Sequence, residues 1–206
     1  MPASTPQGLP YPLPTEPVAE GAQAIRNLAE AIKGWQCLAE LDLTAATTFN
    51  AIDQDFDQLR LIASVRSATA IKAEGLNLRC NGITSAAYFQ SFVMANNNVV
   101  TANQQVAVAQ IQIGLLPGSS ATPSWFGTTD ILFPSYNGPQ QSKTCTFSSY
   151  CHAPVANNAT DLWTIYGHGT FNPGAITPIT SLTLIPGASA AFAAGSRAWL
   201  YGISGF

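Results

Sequence analysis

The stretch Val106-Ala107-Val108-Ala109-Gln110-Ile111-Gln112-Ile113 repeats in character every second residue. That is the spacing at which a strand turns successive side chains to opposite faces, and it marks a strand with one buried side. Leu59-Arg60-Leu61 does the same inside 58–66. Working outward, the same reading gives strands at 36–43, 58–66, 75–80, 88–94, 105–114, 129–133, 144–149, 161–168, 179–185 and 197–202. Turn chemistry separates them: Asn81-Gly82, Pro117-Gly118, Asn137-Gly138-Pro139, Asn172-Pro173-Gly174 and Pro186-Gly187, where Gly and Asn accept the backbone angles that turns need and Pro presets them. Short strands so spaced, with no strand–helix alternation, predict a mainly β protein: an antiparallel β-sandwich, jelly-roll-like, over residues 35–206.

Ahead of the sandwich the pattern differs. Six prolines fall within residues 1–17, and each fixes its own φ and pushes the residue before it toward extended geometry. Leu9-Pro10-Tyr11-Pro12-Leu13-Pro14 therefore predicts an extended arm over 1–17, with Leu9, Tyr11 and Leu13 as the apolar contacts that attach it to a neighbour. Thr15 and Pro17 then suit a helix start and Gly34 a stop. Between them Val18, Ala22, Ile25, Leu28, Ala29 and Ile32 recur at three- and four-residue spacing, predicting one short amphipathic helix over 18–34. Too short to stand alone in water, it must pack either on its own sandwich or on symmetry mates, through Val18, Ile25, Leu28 and Ile32.

Composition narrows the function. Of 206 residues only 9% are charged, against roughly 25% in ordinary soluble domains, so Ser, Thr, Asn and Gln must keep the surface wet. Such a surface suits a protein packed among other copies, or a lectin. Net charge is −3 with no basic stripe, which argues against nucleic acid. Met1-Pro2-Ala3-Ser4-Thr5 lacks a basic leader and no run of eighteen apolar residues occurs, so neither a signal peptide nor a membrane-spanning helix is expected. Cys37, Cys80, Cys145 and Cys151 lack the short paired spacing of zinc sites. They read as free, buried thiols, with Cys145, Cys151 and His152 as the weaker, metal-ligating alternative. No metal or cofactor is expected.

Catalysis finds little support. The two histidines are His152 and His168, no Gly-x-Ser-x-Gly elbow occurs, and Gly195-Ser196 precedes a strand. A triad of His168 with Asp161 or Asp130, or a carboxylate pair drawn from Asp53, Asp55 and Asp57, could be assembled on paper, but a solvated acidic loop is the better reading of the latter. The chain is expected not to be an enzyme. The aromatics in Ser/Thr/Gly-rich loops, Trp125, Phe126, Tyr136 and Tyr150, are candidate glycan contacts, since an exposed ring beside amides offers a face and hydrogen bonds together. Burial of these rings at subunit interfaces is the equal alternative.

The opening, Leu9-Pro10-Tyr11-Pro12-Leu13-Pro14-Thr15-Glu16-Pro17 continuing to Ala29-Glu30-Ala31-Ile32, resembles the start of many tailed-bacteriophage structural proteins. The body is similar to a virion-associated β-sandwich module of tail and fibre-like proteins. It matches in Phe56-Asp57-Gln58-Leu59-Arg60-Leu61, in Leu76-Asn77-Leu78-Arg79-Cys80-Asn81-Gly82, in Lys143-Thr144 and in Ile179-Thr180-Ser181-Leu182. The closing match is Gly195-Ser196-Arg197-Ala198-Trp199-Leu200-Tyr201-Gly202-Ile203. Where that family carries an acidic residue after Asn81-Gly82, this chain has Ile83-Thr84-Ser85, so an acidic ligand there is absent. The resemblance implies a virion component, assembled in the host cytoplasm, tail-associated or fibre-like. Its implied partners are other virion proteins and two further copies in a homotrimer, with host-surface glycan as a candidate ligand. A capsid decoration or head-fibre protein is the alternative within that biology. A free lectin-like carbohydrate-binding module is the alternative outside it.

Overall fold

Leu59, Leu61, Ala63 and Val65 are buried while Gln58, Arg60, Ile62 and Ser64 are half-exposed, so the period-two signal of 58–66 becomes a strand with one face in the core, β5 (Gln58–Val65). The computed structural model describes residues 3–4, 10–11, 34–154, 161–187 and 191–204. Its elements are all strands: β1 (Ala3–Ser4), β2 (Pro10–Tyr11), β3 (Gln36–Asp42), β4 (Thr47–Phe49), β5, β6 (Ala73–Cys80), β7 (Tyr88–Asn96), β8 (Val99–Val108), β9 (Ile111–Pro117), β10 (Gly127–Phe133), β11 (Lys143–His152), β12 (Leu162–Phe171), β13 (Leu182–Pro186) and β14 (Arg197–Ile203). β1 and β2 pair antiparallel, Ala3 opposite Tyr11. Of the expected helix 18–34, residues 18–33, with Val18, Ile25, Leu28 and Ile32, lie outside the described residues, as do Leu9 and Leu13.

The other twelve strands form two antiparallel sheets, β3-β14-β5-β10-β11-β12-β7-β8 and β4-β13-β6-β9. Setting aside the β7–β8 and β11–β12 hairpins leaves eight strands. In chain order these run first-eighth-third-sixth in one sheet and second-seventh-fourth-fifth in the other. That interleaving is the signature of two Greek keys rolled into a jelly roll. The two hairpins widen one sheet to eight strands while the other stays at four.

The inner faces close on one core. Leu61, Ile131, Phe147, Ile165 and Phe171 from the large sheet meet Phe49, Leu76, Leu78, Ile111 and Leu184 from the small one. Tyr88 sits in this core, its ring stacked 5.2 Å from that of Phe171, and its hydroxyl accepts from Cys80 N and donates toward the Cys80 and Ile83 carbonyls. A buried phenol needs such partners, and these fasten the turn between β6 and β7.

One strand boundary corrects the sequence reading. The alternating run 105–114 is not a single strand: it breaks at Ala109-Gln110 and passes from β8 in the large sheet to β9 in the small one. A bulge lies just before the break, where the β7–β8 register shifts between Tyr88 and Gln90 and Ala107 takes a left-handed φ of 53°. Periodicity reports facing, not which sheet a residue joins, and a corner that preserves the alternation leaves no trace in it.

Candidate functional site

The outer face of the eight-stranded sheet carries a concave, chemically mixed surface. Register places Asp130 of β10 opposite Ser148 of β11, and Ser148 opposite Tyr166 of β12. One residue pair along, Arg60 of β5 lies opposite Leu132, and Leu132 opposite Thr146. These side chains, with Trp35 just ahead of β3, line a cavity of about 370 Å³. At its floor the Arg60 guanidinium grips Asp130 with two bonds, Nε to Oδ1 at 2.9 Å and a terminal nitrogen to Oδ2 at 2.6 Å. That hydrogen bonding raises the Arg60 pKa further. A guanidinium has five N–H donors and a carboxylate about four lone-pair sites. The pair therefore keeps donors and acceptors free to face an incoming polar ligand, while Trp35 and Tyr166 supply apolar faces.

From the cavity an aromatic strip runs toward one end of the sheet. Tyr166 and Tyr150 stand edge to face with centroids 6.0 Å apart and their hydroxyls hydrogen-bonded, which raises the Tyr150 phenol above its ordinary value. His152 shares the face of Tyr150, two residues along β11, and the Trp125 ring meets it edge-on at 4.2 Å. Trp125 is on a loop, yet the loop is held. Arg66, buried, donates from its guanidinium to the carbonyls of Ala121, Thr122 and Trp125 at 2.8, 2.8 and 3.0 Å. Thr122 adds two bonds to the Pro154 carbonyl. The strip is thus preorganised, which spares a ligand the entropy of ordering it.

Of the four aromatics singled out in the sequence, two join this surface. Trp125 and Tyr150 are exposed. Phe126 is half-buried, its ring beside Gly195. Tyr136 is a correction: it is fully buried in the core, and its hydroxyl donates to the Asp53 carbonyl. Its neighbour Asn137 donates to the carbonyls of Gln54 and Phe56, both at 2.8 Å, so the pair ties down the acidic loop. Tyr136-Asn137-Gly138 reads as an exposed turn because the far-off loop that covers it is invisible locally. Trp35, Tyr166 and His152 were missed. The alternation Tyr166-Gly167-His168-Gly169 held the signal, since glycines on one face of a strand mark close approach inside and turn the larger side chains outward.

The catalytic combinations come apart. His168 lies on the outer face of β12, opposite Thr146, while Asp161 is buried before the far end of that strand and paired with Lys72. Asp130 is engaged by Arg60. Ser196 accepts from Arg66 N at 3.1 Å and donates to the Arg66 carbonyl at 3.2 Å, inside the core. Cys145 and Cys151 point inward from β11 and His152 outward, so the three cannot close on one ion. Burial pushes the Cys145 and Cys151 thiols up to about 12.

No known protein family and no curated protein matches the chain. Among solved structures, a protein of unknown function from Shewanella oneidensis superposes at TM-score 0.27 and 12% identity, over 84% of this chain and 77% of that one. The Ruminococcus gnavus IT-sialidase CBM40, bound to α2,3-sialyllactose, superposes at TM-score 0.27 and 10% identity, over 81% of this chain and 91% of that one. Infectious bursal disease virus, Gx strain, superposes at 0.11 and 15%, over 84% and 35%. Superpositions of that quality carry no ligand or role across.

Proposed function

We propose that the chain is a non-enzymatic structural component of a tailed-phage virion, tail-associated or fibre-like, attached through residues 1–34 and presenting its jelly roll to host-surface glycans. The observation that carries the glycan reading is the strip Trp125–His152–Tyr150–Tyr166 ending in the cavity of Trp35, Arg60 and Asp130. A sugar ring has an apolar face and a rim of hydroxyls, and this surface offers flat rings beside a polar pair that both donates and accepts. The surface has no run of like charge, which suits neutral or weakly charged saccharides. The virion reading is supported by the resemblance of the opening arm and of the Gly195–Ile203 ending to tailed-phage proteins, and by a surface kept wet with amides and hydroxyls rather than charge. In that reading residues 18–34 gather three copies about an axis.

The test is a glycan array on the purified chain, with Trp125→Ala and Tyr166→Ala beside it. Both variants are expected to lose at least tenfold in signal on whatever glycan the native chain binds, while Tyr136→Phe, which touches only the core, leaves binding intact. Unchanged binding in the first two would remove the glycan reading. For the virion part, deleting residues 1–17 is expected to abolish incorporation into particles, and retained incorporation counts against attachment by the arm.

A further inference from the structure

Among the described residues, the last strand of the large sheet, β8, pairs with β7 on one side only. It is ten residues long and its side chains are exposed almost throughout, Val99, Val100 and Val106 to 63%, 68% and 61%. Free N–H and C=O groups along a long, flat edge template another strand, and proteins blunt such edges with charge, proline, brevity or a cover. The other edges are blunted. β3 carries Glu40 and Asp42, bound by Arg197; β4 is three residues long; β9 lies packed against β10, β11 and β12. β8 has neither proline nor charge, and no Asp, Glu, Lys or Arg stands anywhere between Arg79 and Asp130. Nor is the edge slack: Gln90, buried, bonds Gln105 of β8 at 2.6 Å and takes the Gln112 amide at 2.6 Å, bracing the hairpin.

We infer that β8 is an interface between two copies of this chain, joined antiparallel about a two-fold axis at Asn103. The occupant is named by the strand's own text. Read outward from Asn103, Ala102 answers Gln104, Thr101 answers Gln105 and Val100 answers Val106. Apolar ends thus meet apolar ends and the amide-rich centre meets itself, the self-complementarity that a two-fold interface demands. A two-fold centred on a residue also pairs every residue with one an even number of positions away, which keeps the alternating backbone donors and acceptors in step. The bulge, where Ala107 takes a left-handed φ, ends the ladder just beyond Val106 and stops it from growing. In the pair the two large sheets become one, with Val93 and Phe89 of β7, both exposed, flanking the seam.

Analytical ultracentrifugation of the full chain tests this. Asn103→Lys sets two ammonium groups against each other at the axis, where like charges directly opposite destabilise a pair, and is expected to halve the mass of the species formed by the native chain. Asn103→Glu is expected to do the same. Mixing the two variants sets Lys against Glu and restores the native mass. Because Asn103 is exposed, the circular dichroism of both variants should match that of the native chain. A native mass that neither variant changes, or a mixture that stays at the halved mass, overturns the inference.

Discussion

Replacing Gly169 by alanine tests how closely the two sheets of the sandwich are layered. Gly169 lies on the inner face of β12, where β9 crosses. A Cβ there would sit 2.7 Å from Ile111 Cδ1, 2.9 Å from Ile111 Cγ2 and 3.2 Å from Cys145 Sγ. Such contacts are too short to keep, and Ile111 is fully buried. Overpacking of this kind costs about 1–3 kcal/mol, while Gly→Ala returns about 0.4–1 kcal/mol by restricting the unfolded chain. The expected net loss is about 1–2 kcal/mol in urea unfolding followed by tryptophan fluorescence, with the midpoint shifted and the slope unchanged. The partner can be shortened: Ile111→Val alone should cost about 0.5–1.5 kcal/mol, but it removes the nearest clashing methyl. The double variant should then lose less than the sum of the two by about 0.5 kcal/mol or more, the mark of residues in contact. Gly75→Ala is the control, because its Cβ would meet only Gln112 at 3.5 Å or beyond and should be neutral or better. Additive losses for Gly169 and Ile111, or equal losses for Gly169 and Gly75, would refute the layering argument.

Two further outcomes follow from buried polar groups. The Cys145 and Cys151 thiols, raised by burial from 9.0 to about 12, contribute stability that is whole below pH 9 and drains away as pH climbs toward 12, and Cys80, raised by burial and by Cys145, acts in the same sense. At pH 10 the first two should cost the fold about 3 kcal/mol together, with buried Lys143, lowered by desolvation, acting in the opposite sense. Urea midpoints at pH 7 and pH 10 measure it, and Cys145→Ala should flatten the decline. Arg66→Met leaves the carbonyls of Ala121, Thr122 and Trp125 without their donor, so it should destabilise the fold by about 2 kcal/mol or more and shift Trp125 emission to the red as the loop loosens.

What the sequence showed and what it hid divide along a physical line. Strands such as 58–66 and 144–149 were legible because one face of each meets a continuous core, and burial writes itself into the sequence at period two. β4 was not legible, since Thr47-Thr48-Phe49 is too short to display a period. The corner at Ala109-Gln110 was hidden because the alternation runs through it unbroken. At the site, Trp125 was legible as an aromatic stranded among turn formers. Tyr136 has the same local setting and goes to the core instead, because the loop it supports, residues 53–56, lies some eighty positions away in sequence. A loop aromatic declares only that something must be done with its ring, and whether solvent or a distant carbonyl takes it is decided by the roll of the sheets.

The uncharged edge and the aromatic strip bear on one another. In an antiparallel edge-to-edge pair, residues opposite each other turn their side chains to the same side of the sheet, so both strips would face the same way. Counting strands from the seam, β12 of one copy lies five strand spacings from β12 of the other, and β11 lies seven. At about 4.8 Å per spacing the two strips stand about 25–35 Å apart. A host surface presents many copies of one glycan, and two rigid sites at that distance convert the second contact into an intramolecular one, which multiplies avidity by about 10²–10⁴ without any new contact. A single shallow site of one ion pair and a few rings is weak by itself. Two such sites fixed on one continuous sheet make the weakness serviceable, since each contact can release while the other holds. That consequence needs both the strip to bind and β8 to pair, and it separates them: Trp125→Ala should abolish binding to sparse and dense glycan alike, whereas Asn103→Lys should weaken binding to dense glycan and leave binding to sparse glycan unchanged.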